Sequence, residues 1–502
     1  MTRNKLFLKP GLVIVFLIVV AITGYFIFSK LNPVIKEKKE PVNIVQSIAV
    51  LPFANISKDS SQEYFSDGLT DGIQNSLAHL KGLKVCARTS SFEFKKKNFS
   101  IREAGKKLSV RTILEGSVQI EGDRVIITAN LVNVADSLTL WSGKYDENMD
   151  NIFALQDKII NAIAEKLSIT LLQNESGTET KRPTSAAAYK LYLKGRSSLN
   201  KRTPPELKKG IDFFTEAIAI DTSYAAAYAG IADCYNALGY GSYVAPKDAF
   251  PKALEAATMA VKLDATLAEP HASLGFYNFY YQWDWDAAEQ EFRTAIALNP
   301  NYELAYDWYG YYLTAMERFG EAEVIFRKAA ELDPLSAPVY TDMGFSFYYG
   351  RNYDSAIKKL EQSLQINSEY PLAHIWLGRC FQAKKMYPEA IAEFKRILAS
   401  APHWSVAMAQ IGNVYGVSGD KINSQNVLDT MILLSQKQFV TAYGVALVYA
   451  GLDEKDNVFK WLDQAYEERS NWLVWVKSDP RWIPFQSDKR YAELVNKVGL
   501  PR

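Results

Sequence analysis

The sequence predicts a multidomain chain: one transmembrane helix, a small α/β domain and an all-α superhelix of repeated helical hairpins. Three observations predict it. Gly11 to Phe28 is an uncharged apolar run, GLVIVFLIVVAITGYFIF. Residues 45–173 alternate strand-like and helix-like stretches and then give three consecutive strands. From residue 268 onward the chain repeats, with Gly275, Gly310, Gly344, Gly378 and Gly412 at intervals of 35, 34, 34 and 34.

Composition removes several function classes. Lys+Arg 57 against Asp+Glu 56 gives a net charge of +1 over 502 residues. A nucleic-acid binder usually carries a basic surplus, so no nucleic-acid partner is expected. Hydrophobic residues at 48% exclude a disordered chain. Cys86, Cys234 and Cys380 are too few and too scattered for a disulfide scaffold or a cysteine zinc module. His79, His271, His374 and His403 show no H-x-H or H-x-x-x-H spacing, so neither metal nor cofactor is expected. Phosphate-binding, nucleophile-elbow and H-E-x-x-H motifs are absent from the sequence, so no catalytic residue is assigned and no enzyme is expected.

Taken in order, residues 1–10 read as a short cytoplasmic tail and 11–29 as an anchor. As a helix the run Gly11 to Phe28 spans ~27 Å, close to the ~30 Å hydrocarbon core of a bilayer. A cleaved signal peptide has a shorter apolar stretch and a small-residue cleavage site, which this run lacks. Three basic residues precede it and four follow, so charge does not set its orientation. Residues 30–44, with Pro33, Pro41 and a charge run, read as a juxtamembrane linker.

In residues 45–173, SIAVLPFANI (47–56) reads as a buried strand. The stretch 64–80 places Phe65, Leu69, Ile73, Leu77 and Leu80 on one helical face. LKVCART (83–89) reads as a second strand, and 100–108 as a short helix whose Ser100 and Glu103 form a capping box. Three alternating strands joined by EGD and ADS turns form an antiparallel meander, and 152–172 closes the unit as an amphipathic helix. The order is β-α-β-α-β-β-β-α. SIAVLPF, EYFSDGLTDGI, LKVCARTSSFEFK and ILEGSVQIEGDRVIITANLV resemble the TolB-like N-terminal domain found in bacterial adenylate cyclase-like proteins and membrane-bound winged-helix regulators. The resemblance implies a periplasmic domain without established catalytic residues. It does not bring a cyclase or winged helix with it, because only ten residues precede the apolar run. Asp59, Glu63, Asp67 and Asp71 read as helix-start carboxylates rather than a cation site, and Lys95, Lys96 and Lys97 as solvated lysines.

A linker at 174–185 leads to an array at 186–470. Besides the glycines, Ala288, Ala322, Ala356 and Ala390 recur at 34 residues, as do Pro300 and Pro334. This is the tetratricopeptide-repeat pattern, in which small residues let paired helices approach and proline ends the second helix. About eight hairpins follow from the register, and residues 471–502 read as a C-terminal cap whose Trp472, Trp475 and Trp482 cover the last hairpin. In this repeat family, positions 2, 5, 9, 12 and 13 of each first helix face the concave side. That resemblance places Phe276, Phe279, Tyr280, Asp307, Tyr311, Thr341, Phe345, Tyr348, Tyr349, Arg379 and Gln382 in a peptide- or protein-binding groove. The rings are expected to be exposed there for a hydrophobic or proline-rich segment, with Arg379 for an acidic group or a C-terminal carboxylate; the alternative is that they pack against one another or the neighbouring helix with no ligand.

The expected whole is a membrane-anchored, non-enzymatic scaffold of the bacterial inner membrane. It is single-pass and mostly periplasmic, with the bilayer and a protein segment as partners. The alternative is a sensory or receptor subunit whose cyclase or transcriptional output module is a separate protein.

Overall fold

The computed structural model describes residues 46–169 and 185–500. The sheet is built from β1 (Gln46–Val50), β2 (Ala54–Asn55), β3 (Leu83–Val85), β4 (Thr112–Glu121), β5 (Arg124–Asn133) and β6 (Thr139–Asn148). Its order is β3-β1-β4-β5-β6, with β2 also on β4. The pairs with β1 and β2 are parallel, and β4-β5-β6 is the antiparallel meander. The apolar run at 47–56 is not one strand. Val50 pairs with Leu114 and Ala54 with Ser117, so four steps on one side face three on the other. The extra residue forms a bulge around Pro52, which has no N–H to give to the ladder.

Helices α1 (Glu63–Ala78) and α4 (Ile152–Lys166) cover one face of this sheet, burying Phe65, Leu69, Ile73 and Leu77 with Leu155, Ile159 and Ile163. The short α2 (Arg88–Phe92) and α3 (Ile101–Leu108) complete the region. Ser100 caps α3 as expected, its Oγ accepting from the Glu103 N–H at 3.1 Å.

Eight helical hairpins follow among the described residues: α5 (Ala186–Lys201) with α6 (Pro204–Ile220), α7 (Ala225–Tyr240) with α8 (Pro246–Leu263), and α9 (Ala268–Tyr277) with α10 (Trp285–Leu298). Then come α11 (Glu303–Ala315) with α12 (Phe319–Leu332), α13 (Ala337–Tyr349) with α14 (Tyr353–Ile366), and α15 (Pro371–Ala383) with α16 (Tyr387–Ser400). The last two are α17 (Ser405–Val417) with α18 (Lys421–Ser435), and α19 (Ala442–Leu452) with α20 (Lys455–Glu467). The recurrent glycines have the expected role. A Cβ on Gly275, Gly310 or Gly378 would lie 2.7, 2.5 and 2.5 Å from the rings of Phe292, Phe326 and Phe394 in the paired helix.

The single 35-residue interval has a local cause. Residues Asn278–Gln282 form a π turn at the end of α9. The left-handed residues that follow each first helix, Trp283, Glu317, Arg351 and Lys385, then resume a strict 34-residue spacing. The extra residue lies between Gly275 and Trp283 and is absorbed by the wider turn.

The α/β region and the array are joined along two seams. Tyr189 and Leu193 of α5 are buried in the core of the α/β region, where the Tyr189 hydroxyl accepts from Gln156 at 2.8 Å. On the far side, Asn301 accepts from the Val85 N–H at 3.0 Å and donates to the carbonyls of Ala78 and Leu83. One repeat later, Asp333 accepts from the Ser90 N–H at 2.9 Å, and the Ala87 N–H donates to the Leu332 carbonyl. Two successive repeat turns thus hold the β3 edge.

The fold class is therefore corrected to a mostly helical tetratricopeptide-repeat superhelix with a small N-terminal α/β region. Among the described residues no helix is long and apolar enough to cross a membrane. The single-pass inner-membrane placement, with its bilayer partner and periplasmic bulk, is not carried forward. The run Gly11 to Phe28 that prompted it lies outside the described residues.

Candidate functional site

All eleven groove residues named from the sequence are buried. Phe279, Tyr280 and Thr341 are 0% exposed and the most open of the set, Gln382, is 9% exposed. The exposure expected of them is not found, and the reason is the chain's own C-terminal segment. After α20 the chain makes two 3-10 turns, Asn471–Trp475 and Pro480–Phe485, and the final helix α21 (Lys489–Val498). The indole of Trp475 stacks on Tyr349 at 4.9 Å and meets Phe345 and Phe279 edge-on at 4.8 and 5.8 Å. Trp472 stacks on Tyr240 at 6.2 Å and donates from Nε1 to Ser242 at 3.3 Å. On the last hairpin, as expected, Trp482 lies edge-on to Tyr443 and donates to its hydroxyl at 2.7 Å, and Trp472 also stacks on Tyr443 at 6.5 Å.

Polar groups follow the same path. Arg379 lies over the rings of Trp376 and Trp472, 4.2 and 5.6 Å from their centroids, and donates to Gln410 at 2.9 Å. Arg481 from the tail donates to the same Gln410 oxygen at 2.6 Å and pairs with Asp479 at 2.6 Å. Burial pushes the Asp479 carboxyl up, but the Arg481 and Arg379 guanidinium groups outweigh it and hold it below its ordinary value. Gln382 donates to Asn413 at 2.6 Å, which donates to the Leu447 carbonyl at 2.6 Å. Arg379 thus commits its Nε within the chain, while its two terminal nitrogens are buried beside the indoles without a hydrogen-bond partner.

The tail covers the C-terminal half of the first helices, where positions 9, 12 and 13 lie. The N-terminal half carries a different chemistry. Asp307 and Asp342, in successive repeats, are 5% and 3% exposed, and their carboxyls influence one another electrostatically. Burial pushes Asp342 up to about 7, against hydrogen bonds from Asp307 and Tyr311 that lower it. Burial, then the charge of Asp342, raises Asp307 well above its ordinary value. Tyr302, Glu303 and Tyr370 stand half-buried on the same side. Thr341 is turned to its own hairpin, 2.8 Å from the Ser363 hydroxyl.

Of these, the sequence reading named Asp307 and passed over Asp342, Glu303, Tyr302 and Tyr370. The available signal was an isolated carboxylate in an otherwise apolar helix, as in AYDWYGYY and VYTDMGFS. In the α/β region, the carboxylates and lysines treated separately turn out to pair. Lys95 binds Glu63 and Asp67 at 2.9 and 2.6 Å, and Arg88 binds Asp71 at 2.6 Å.

Two family models match the chain. Residues 44–162 match the HilA/YgeH-like transcriptional regulator, second domain, in place of the TolB-like domain expected from the sequence. Residues 350–411 match the tetratricopeptide repeat. The chain carries a tetratricopeptide-repeat array. Among curated relatives, putative adenylate cyclase 3 of Rhizobium meliloti (strain 1021) is 35% identical over 186 residues, 37% of this chain and 32% of that protein. The transcriptional regulator HilA of Salmonella typhimurium is 22% identical over 329 residues, 63% of this chain and 56% of that one. The chain thus spans about a third of the first relative's length and just over half of the second's. Among solved structures, the APC/C hetero-tetramer Cut9–Hcn1 is 16% identical with a TM-score of 0.44, covering 68% of this chain and 60% of that one. The type IV pilus biogenesis factor PilW is 16% identical with a TM-score of 0.33, covering 41% and 95%.

Proposed function

We propose that this chain is a non-enzymatic scaffold that holds a protein partner on the open, N-terminal half of its concave face. One observation carries the reading: the other half of that face already seats a tryptophan-rich segment of two 3-10 turns, through ring stacking and side-chain hydrogen bonds from Trp472, Arg481 and Trp482. The tail itself is a poor candidate for displacement. Releasing it would expose Trp472, Leu473, Val474, Trp475, Val476 and Trp482, all buried. Each such side chain is worth about 1.5–3 kcal/mol of burial, so a partner would have to replace more than a typical interface supplies. The open half is free of that cost. The cysteines support the absence of thiol chemistry: burial pushes the Cys380 thiol up to about 12 and those of Cys86 and Cys234 further still.

A second reading, the regulatory half of a signalling system, is favoured by the relatives that share this segment and whose names carry an output activity. Both readings place a partner on the concave face. The test is a photo-crosslinking amino acid at Tyr302 or Tyr370, with Ile422, 78% exposed in α18, as the control position. Crosslinked protein at 302 and 370 and none at 422 is the expected result. Crosslinks at 422 with none at the other two would overturn it.

A further inference from the structure

The two edges of the sheet differ. The β3 edge is held by the repeat array, where Asn301 accepts from the Val85 N–H and the Leu332 carbonyl from the Ala87 N–H. At the opposite edge lies β6, 10 residues long, with β5 as its one strand partner among the described residues. The Met149 N–H donates to the Asp123 carbonyl at 2.7 Å, and Asn148 pairs with Arg124. Antiparallel ladders alternate, so Tyr145 and Glu147 bond inward to β5. Ser142, Lys144, Asp146 and Asn148 therefore turn their N–H and C=O groups outward. A long edge of this kind is a template for another strand unless proline, a bulge or charge blunts it. TLWSGKYDEN has no proline, and the irregularity in its pairing lies at its first residues, opposite Leu131 and Val132.

The charge on this edge is complementary to itself. Lys144 and Asp146 are exposed and stand two residues apart on one face of the strand. Asp146 accepts from Arg124 of β5 at 2.6 Å, whereas Lys144 has no ion pair among the described residues. A second copy running antiparallel about a two-fold axis at Tyr145 sets Lys144 opposite Asp146 of that copy, and Asp146 opposite its Lys144. Opposite charges directly across a strand pair are favourable, and here they extend the row begun by Arg124 and Asp146. An axis at Lys144 would oppose two lysines, and an axis at Gly143 would set Asp146 against Leu140. The rings of Trp141 and Tyr145, 6.5 Å apart, close over Gly143, where a Cβ would lie 2.5 Å from the indole. They cover the strand at the one position that has no side chain of its own.

We propose that β6 pairs antiparallel with β6 of a second copy of this chain, about a two-fold axis at Tyr145, so that two sheets become one. The array contacts at Asn301 and Asp333 lie on the far edge of each sheet and leave this one accessible. The surface is separate from the concave face and does not depend on it. A single strand pair is smaller than the ~1,600 Å² of a standard interface, so the dimer belongs to the transient class.

The test is sedimentation velocity of the full chain over a dilution series reaching submillimolar concentration. A dimer that dissociates on dilution is the expected result. Lys144→Glu and Asp146→Lys should each weaken self-association at least about tenfold, because two opposite-charge pairs become like-charge pairs. Their equimolar mixture should recover the dimer, since each charge again meets its opposite across the axis. Melting temperatures close to the parent's establish that both variants fold. Register is read separately by oxidation with diamide. Tyr145→Cys should form a disulfide between copies, because residues on the axis face one another at ~4.5 Å between Cα atoms. Ser142→Cys should not, since its two copies lie ~20 Å apart along the strands. The native cysteines are buried, so the introduced thiol is the accessible one. A parent that stays monomeric throughout, as it would with a segment of its own chain on this edge, overturns the proposal. So does a dimer unaffected by either charge reversal, or one that the mixture fails to restore.

Discussion

Trp475→Ala is expected to lower the unfolding free energy by about 4 kcal/mol, at the upper end of large-to-small substitutions in cores. The indole is 1% exposed and touches rings from two non-adjacent first helices, Phe279 after α9 and Phe345 and Tyr349 of α13. Nothing nearby is flexible enough to refill the space, because the surrounding aromatics are themselves packed edge-on or tilted against one another. Chemical denaturation of the full chain and the variant measures the effect. A loss below about 1 kcal/mol would mean that the tail lies loosely on the array. A matching substitution at an exposed tail residue, Ile483→Ala at 44% exposure, is expected to cost little.

The second large effect is a pH dependence. Burial raises Asp342 from 3.8 to about 7, so the folded chain holds a proton that the unfolded chain releases between about pH 4 and pH 7. The sign follows: the folded state binds more protons in that window, so stability is greatest at its acid end and falls as pH rises to 7. The slope is about 1.4 kcal/mol per pH unit for one proton. Asp307, Tyr311, Tyr240 and Arg202 face the same carboxyl, and Asp307 shifts in the same direction. Asp342→Asn removes the titration and offers an amide donor to Asp307. It is expected to flatten the dependence and to raise the melting temperature at pH 8. A variant whose melting temperature tracks the parent from pH 5 to pH 8 would show that Asp342 is already ionised in the fold.

Much of the fold was legible because its causes are local. The glycine and alanine spacing reports close helix contacts, and each contact recurs at the same place in every hairpin. The strand and helix order of the α/β region followed from alternation and from one cap, Ser100. The bulge at Pro52 was hidden because an apolar run says that a strand is buried, not that its ladder skips a residue. The groove was only half legible. Position rules placed eleven residues on the concave face, and the tryptophans of the tail announced burial. Neither says that the second covers the first, because the two are brought together by curvature summed over eight hairpins. The seams at Asn301 and Asp333 were hidden for the same reason: their partners lie more than 200 residues earlier. Asp307 was placed on that face by its repeat position, and Asp342 was passed over although a carboxylate inside an apolar helix is expensive unless it is paired or used.

The measurement that bears most directly on this arrangement is amide hydrogen exchange of the tail in the full chain. Residues 471–485 contain few regular backbone ladders, so their amides are protected only if the segment is seated in the groove. Protection of the Val476 and Asp479 amides to the same degree as those of α13 and α15 is the expected result, since both donate to buried carbonyls, those of Leu473 and Trp475. Complete exchange of 471–485 within seconds, while α13 and α15 stay protected, would contradict it: the tail would then lie free and the aromatic half of the groove would stand open.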